Sequence, residues 1–330
     1  MSRYASFLAA ISAALLITIP GCGGGGGTVV SGIGGTGITT ASGTITAFGS
    51  IFVNGIEFDV DSAACTIDDA DHSGTACQSN LRLGMVVTVT GTVSGARGVA
   101  ESVTFNGDVE GPVLGIQAPD NDTRTFTVLG TPVQIGRNST RFDDINFDAI
   151  ADGVLVEVSG FVDANGILQA TFLDKKSDSA AAGDKVELKG KAVAPGGAGP
   201  GDSFTINGVV INIVPGSNGT DMSAMPGGRV GNGDTVEVKG TLTAGGEIDA
   251  LRIKLRSEGM DNEGGRVSME GLVAGFNGDL ADFTVNGQRI DASGASFKPA
   301  GLQLANNLRI EVEGTVRSGV LVADKIEAED

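Results

Sequence analysis

The sequence predicts an all-β chain built from four tandem five-stranded units, and three observations predict it. The phrase "FTVNGQRIDA" (Phe283 to Ala292) is echoed by "FTINGVVINI" (Phe204 to Ile213) and by "IFVNGIEFDV" (Ile51 to Val60). A second landmark follows each phrase, as "VVTVTG" ending at Gly91, "LVEVSG" at Gly160, "TVEVKG" at Gly240 and "RIEVEG" at Gly314. The composition agrees, since 53 glycines and only 5% aromatics favour many short strands and turns over long helices.

The alignment places Phe52, Phe126, Phe204 and Phe283 at one position of the unit, and an apolar strand containing Ala100, Ala170, Ala250 and Ala323 closes each one. Three landmarks recurring in the same order four times are the signature of a repeat. The recurring Phe residues read as core.

The first strand of each unit is "GTITAF", "VEGPVLG", "VELKGKAV" or "VSMEGLVAG". The second and third form a hairpin whose Asn54-Gly55, Asn207-Gly208 or Asn286-Gly287 supplies the positive φ angles of a two-residue type I′ turn. The second unit departs with "VLGTPV", which predicts another loop type there. A variable stretch such as "FDDINFDAIADG" allows a helical turn or two. The fourth strand alternates, with Val236 and Val238 inward and Thr235, Glu237 and Lys239 outward. Three strands, a short crossover and two strands is the order of the OB-fold, a small five-stranded barrel; a five-stranded sandwich-like unit is the alternative.

The chain opens with Arg3, an apolar run from Ala5 to Pro20, and "GCGGGGG". That order predicts a secretory signal over residues 1–21. Ile19-Pro20-Gly21-Cys22 resembles the lipobox of bacterial lipoproteins, which implies lipidation of Cys22. The resemblance implies sorting to the outer membrane, since Gly23 is not the Asp of a retention signal. Residues 22–40 read as a Gly-rich tether. Within it, Gly32 to Gly37 fits G-x-G-x-x-G without the strand and helix that give the fingerprint meaning.

The repeated motifs behind "GCGGGGG" resemble an uncharacterised family of bacterial lipoproteins classed as a domain of unknown function. The resemblance covers roughly residues 41 to 330; it implies an OB-like repeat fold and carries no activity. Unit boundaries are expected at 41–107, 108–177, 178–258 and 259–330. The polar stretches "DKKSDSAAAGD" and "RSEGMDNEGG" predict linkers that bend, with separate barrels strung like beads.

Apart from Cys22 the cysteines are Cys65 and Cys77, an even pair expected to form a disulfide in an exported protein. Between them, Asp69, Asp71, Ser73 and Gly74 match the first half of a calcium loop, but Asn80 stands where a bidentate Glu belongs. Calcium is therefore the one metal candidate, and no other cofactor is expected. His72 is the only histidine, so neither a Ser-His-Asp nor a Cys-His arrangement can recur across the units. The carboxylates are expected to be surface charge.

The net charge of −18 disfavours nucleic acid as a partner. The expected function is a non-enzymatic, lipid-anchored envelope protein acting as a spacer or protein-binding scaffold, with a protein partner in the envelope and the membrane contacted through its lipid. The alternative is a ligand-binding module for an oligosaccharide or a calcium-dependent ligand.

Overall fold

A computed structural model describes residues 37–256, 259–260 and 262–329. The signal segment, Cys22 and most of the tether lie outside the described residues. Repeat 1 contains β1 (Gly37–Ala47), β2 (Ile51–Val53), β3 (Ile56–Asp59), β4 (Ala64–Ile67), β5 (Ala70–Ser73), α1 (Thr75–Asn80), β6 (Val86–Ser94) and β7 (Arg97–Phe105). Strand β1 pairs with β2, β2 with β3, β3 in parallel with β7, β7 with β6, and β6 returns to β1. The ring is closed, with the strand order of the OB-fold. Because β1 begins at Gly37, the last residues assigned to the tether belong to the barrel.

Repeat 2 follows as β8 (Val109–Gln117), β9 (Thr123–Val128), β10 (Thr131–Gly136), β11 (Arg141–Asp143), β12 (Leu155–Val162) and β13 (Leu168–Ser177). Repeat 3 has β14 (Lys185–Lys191), β15 (Ser203–Ile206), β16 (Val209–Ile213), β17 (Asp221–Ala224), β18 (Thr235–Leu242) and β19 (Ile248–Leu255). Repeat 4 has β20 (Arg266–Ala274), β21 (Phe283–Val285), β22 (Gln288–Asp291), β23 (Ser296–Lys298), β24 (Arg309–Arg317) and β25 (Val320–Ala328). Each repeats the circuit of the first, and in repeat 3 the closing contact is the bridge between Val193 and Thr205. Each also carries a short strand beyond the expected five, β4, β11, β17 or β23, parallel to the last strand of its barrel, and repeat 1 adds β5 antiparallel to β4.

The repeated motifs have local causes. Asn54, Asn207 and Asn286 have φ near +50°, and each is followed by a positive-φ Gly, as a type I′ turn requires. Leu129-Gly130 adopts the same angles, +48° and +74°, so the second hairpin is not of another type. Its Leu is held there by burial, since Leu129 is 4% exposed and lies over Gly111, where a Cβ would stand 2.6 Å from the side chain. In repeats 1 and 4 the turn Asn lies over Gly43 or Gly271 in the same way and donates to the carbonyl just before that glycine.

The second landmark marks a β-bulge. Gly91, Gly160, Gly240 and Gly314 sit at the register shift opposite Ala100, Ala170, Ala250 and Ala323. A Cβ on Gly160 would lie 2.1 Å from the Gln169 carbonyl oxygen, so no other residue fits without displacing the partner strand. The Phe alignment needs one correction. Phe126, Phe204 and Phe283 are buried, but Phe52 is half-exposed, and fully buried Ile51 fills the equivalent place. A slip of one residue along a strand exchanges its two faces.

The barrels are not strung like beads. Strand β1 continues in parallel onto β20 of repeat 4, and β8 pairs antiparallel with β14 of repeat 3. Repeats 2 and 3 bury one continuous apolar cluster that includes Val109, Val128, Leu188 and Ile206. Phe172 of repeat 2 inserts into the core of repeat 1, edge-on to Phe105 at 6.4 Å between ring centres. Described residues of both expected linkers are tied down as well. Asp174 to Ser177 are part of β13, the Ala180 N–H donates to the Gly153 carbonyl at 2.8 Å, and Arg256 pairs with Glu237 at 2.6 Å. Bending would break these contacts and expose the groups they bury.

Candidate functional site

Cys65 and Cys77 form a disulfide with 5.5 Å between Cα atoms, and both are buried. The bridge closes the segment containing the β4–β5 hairpin, whose tip carries Asp68 and Asp69 at positive φ. The structure does not bring the candidate calcium residues together. Asp69 reaches into repeat 3, where Lys239 lies 2.8 Å and Lys254 3.0 Å from it and Arg252 also pairs with it. Burial pushes its carboxyl up, but these three cations overcome that and hold it well below the usual range. Asp71 accepts from the Thr66 hydroxyl at 3.2 Å, and Ser73 lies opposite Ala64 in the hairpin. Among the described residues no three His, Cys, Asp or Glu side chains converge as a metal site.

The outward glutamates of the fourth strands are not surface charge. Glu157, Glu237 and Glu311 are each under 5% exposed, because a neighbouring repeat or an ion pair covers the outer face of the strand. Where repeats 1, 2 and 3 meet, Glu157 pairs with Lys176 at 2.7 Å, Glu187 with Lys239 at 3.0 Å, and Lys189 donates to the carbonyls of Asn106 and Gly107. Glu110 faces Glu187 across the β8–β14 ladder. Burial pushes Glu110 up to about 7; Lys176 and Lys239 offset part of that rise, and the neighbouring Asp68 and Glu187 add to it.

Where repeats 1 and 4 meet, a chain of hydrogen bonds runs beside the ion pair of Arg309 with Glu270. Asn54 Nδ2 donates to Ser268 Oγ at 2.6 Å, and Ser268 Oγ donates to Glu311 Oε1 at 2.6 Å. Burial pushes Glu311 up to about 8, against the bond from Ser268. The Thr44 N–H donates to Glu270 Oε2 at 2.7 Å, and Arg309 donates to Glu270 at 2.6 Å.

A polar cleft opens between repeats 2 and 4 and runs on toward repeat 1. Its first part, about 700 Å³, is lined by Gln134 on β10, Asn138 and Ser139 beyond it, Asn165 in the β12–β13 turn, Gln169 on β13, and Asn307 and Arg309 of repeat 4. Its second part, about 600 Å³, shares Asn138, Ser139, Thr171 and Arg309 and extends past Arg141 to Thr44 and Asn54. The walls are fixed by hydrogen bonds. Asp163 accepts from the amides of Asn165 at 2.8 Å and Ile167 at 3.0 Å and from Gln169 Nε2 at 3.0 Å. Asn307 Oδ1 accepts from the Ala164 N–H at 2.8 Å, tying the two repeats, and the Arg309 guanidinium lies 5.5 Å from the centre of the Phe161 ring. No signal within one repeat marks this cleft, because its walls come from three of them.

The domain of unknown function DUF5666 matches four times in tandem, over residues 42–104, 110–174, 196–254 and 270–327. The chain belongs to this family. Each DUF5666 match falls on one closed barrel, and the cleft lies between three DUF5666 domains. No curated protein matches the chain.

Proposed function

We propose that this is a non-enzymatic, exported envelope protein, lipid-anchored to the outer membrane through Cys22, that presents its four barrels as a rigid protein-binding scaffold. The Cys65–Cys77 disulfide supports an oxidising compartment, and Ile19-Pro20-Gly21-Cys22 supports lipidation. The observation that carries the scaffold reading is the locking of the repeats, with Asp69 of repeat 1 held by three cations of repeat 3 while β1 pairs with β20. A spacer gains reach from an extended chain, whereas barrels joined side by side hold a composite surface in one shape. The carboxylates Asp163 and Glu270 in the cleft are committed to backbone amides and Arg309, which supports binding over chemistry.

Two measurements test this reading. Labelled palmitate is expected on the wild type and absent from Cys22→Ser; label retained on the variant refutes the anchor. A photo-crosslinking residue placed at exposed Val99 in repeat 1 or Leu251 in repeat 3 is expected to capture the same envelope protein in intact cells. No envelope protein captured from either barrel would refute the scaffold.

A further inference from the structure

We propose that the cleft shared by repeats 1, 2 and 4 binds a neutral oligosaccharide, whose hydroxyls are read by the amide side chains of Gln134, Asn138, Asn165, Gln169 and Asn307. This goes beyond the scaffold reading and does not depend on it.

Charge decides against an ionic ligand. Arg137 forms a two-pronged pair with Asp148, at 2.9 Å on each arm, and also meets Asp122. Arg309 is spent on Glu270, and Asp163 on the amides of its own turn. Of the lining charges only Arg141 and Glu329 stand outside these pairs, and they are opposite in sign. The lining thus sets three arginines against four carboxylates and offers no attractive field to a phosphate or a polyanion, and the chain's charge of −18 repels both.

What remains is a row of amides with donor and acceptor ends open. The side chains of Gln134, Asn138 and Asn165 line the cleft and form no hydrogen bond to a side chain or backbone group among the described residues. Gln169 spends its Nε2 on Asp163, leaving Oε1 as an acceptor. Asn307 spends its Oδ1 on Ala164, leaving Nδ2 as a donor. A sugar hydroxyl both donates and accepts, so each can satisfy an amide of either orientation, which a ligand bearing only acceptors cannot.

Shape and position agree. The first part alone is within the size of small-molecule sites, and the two parts joined by Asn138, Ser139, Thr171 and Arg309 suit a chain of rings over a single one. On repeat 2 the cleft occupies the third strand and the turn between the last two, a face that OB-like barrels expose. Phe161 is buried beneath Arg309, so no ring is open for stacking and hydrogen bonds must carry recognition. The affinity expected is correspondingly weak, with Kd on the order of 0.1 to 1 mM.

The test is saturation-transfer NMR and titration of the purified full chain with maltopentaose, cellopentaose, xylopentaose and chitopentaose, against trigalacturonate as the acidic probe. At least one neutral pentasaccharide should bind saturably. Its affinity should fall at least tenfold in the double variant Gln134→Ala/Asn165→Ala and in Asn138→Ala, with melting temperatures unchanged, and hold in Gln78→Ala, on α1 and outside the cleft lining. No binding by any neutral probe, binding that survives both cleft variants, or tighter binding of trigalacturonate would overturn the proposal. Sugar binding in solution needs neither lipid nor protein partner, so its failure leaves palmitate labelling and photo-crosslinking to judge the scaffold separately.

Discussion

Repeats 2 and 3 meet along a ladder of two residue pairs and repeats 1 and 4 along one of four, yet only the shorter ladder joins the hydrophobic cores. The polar chemistry differs too. In the first junction buried carboxylates are matched with cations, as in Glu157 with Lys176 and Glu187 with Lys239. In the second the equivalent positions are Ser268 and Glu311, joined by hydrogen bonds from Asn54 onward. One unit therefore satisfies the buried outer face of the same two strands in two ways, by ion pairs within each repeat or by a chain of hydrogen bonds that crosses to the neighbour. Both junctions answer to protons, since burial pushes Glu110 up to about 7 and Glu157 up to about 8 in the first and Glu311 up to about 8 in the second, but the first sets Glu157 and Glu187 against lysines, whereas Glu311 accepts from Ser268.

Removing one of these lysines should have the largest effect. Lys176→Met strands Glu157, which is 2% exposed, without its cation, and is expected to cost about 3 kcal/mol in urea unfolding. Adding Glu157→Gln should recover part of that loss. A single variant as stable as wild type would show that the pair does not stabilise the buried face at the junction.

Reducing Cys65–Cys77 comes next. The bridge spans 12 residues of sequence and steadies the hairpin that delivers Asp69 to repeat 3. Its loss should cost about 3 kcal/mol. Faster hydrogen exchange should follow at residues 64–73 and around Lys239, with residues 266–274 unchanged; equal exchange at both junctions would erase the distinction between them.

The proton dependence is common to both junctions. Glu110 and Glu311 have folded pKa values of about 7 and about 8 against an ordinary 4.5, so the folded protein binds more protons than the unfolded one between these limits. Stability should then rise as pH falls from 8 toward 5, by roughly 1.4 kcal/mol per pH unit for each group titrating fully in that window. Asp69 acts oppositely. Its lowered pKa stabilises the fold above about the ordinary value of 3.8, and that contribution is lost as pH falls further. Glu311→Gln should flatten the slope above pH 7 and leave the acid limb in place; an unchanged slope would show that Glu311 does not carry it. The smallest effect is expected at Asp282–Arg289, an exposed pair at 3.1 Å, where Asp282→Asn should change stability by under about 0.5 kcal/mol.

The parts legible in the sequence are those whose causes are local. An Asn-Gly between alternating residues announces its turn, and the Gly that ends "TVEVKG" marks the bulge opposite an Ala. The order of such landmarks is enough for a closed barrel. Ile51 and Phe52 are both apolar, and only the register across β1 decides which one faces the core. Leu129 in a left-handed turn is legible only once its burial over Gly111 is known. The buried glutamates were hidden for a different reason. Alternation correctly predicts that Glu237 points away from its own barrel, but not that another part of the chain waits there. The contacts that bury these groups join residues as distant as Asn54 and Ser268, and the cleft inherits the same difficulty.

The central claim is that the four barrels form one body through these two ladders and the Asp69 contact. Small-angle X-ray scattering from a chain comprising residues 37–329, which hold all four closed barrels, tests it most directly. One packed body of this size should give a radius of gyration of about 20 Å with a single distance maximum. A value of roughly 30 Å or more, with the drawn-out distance distribution of a string of separate domains, would contradict it.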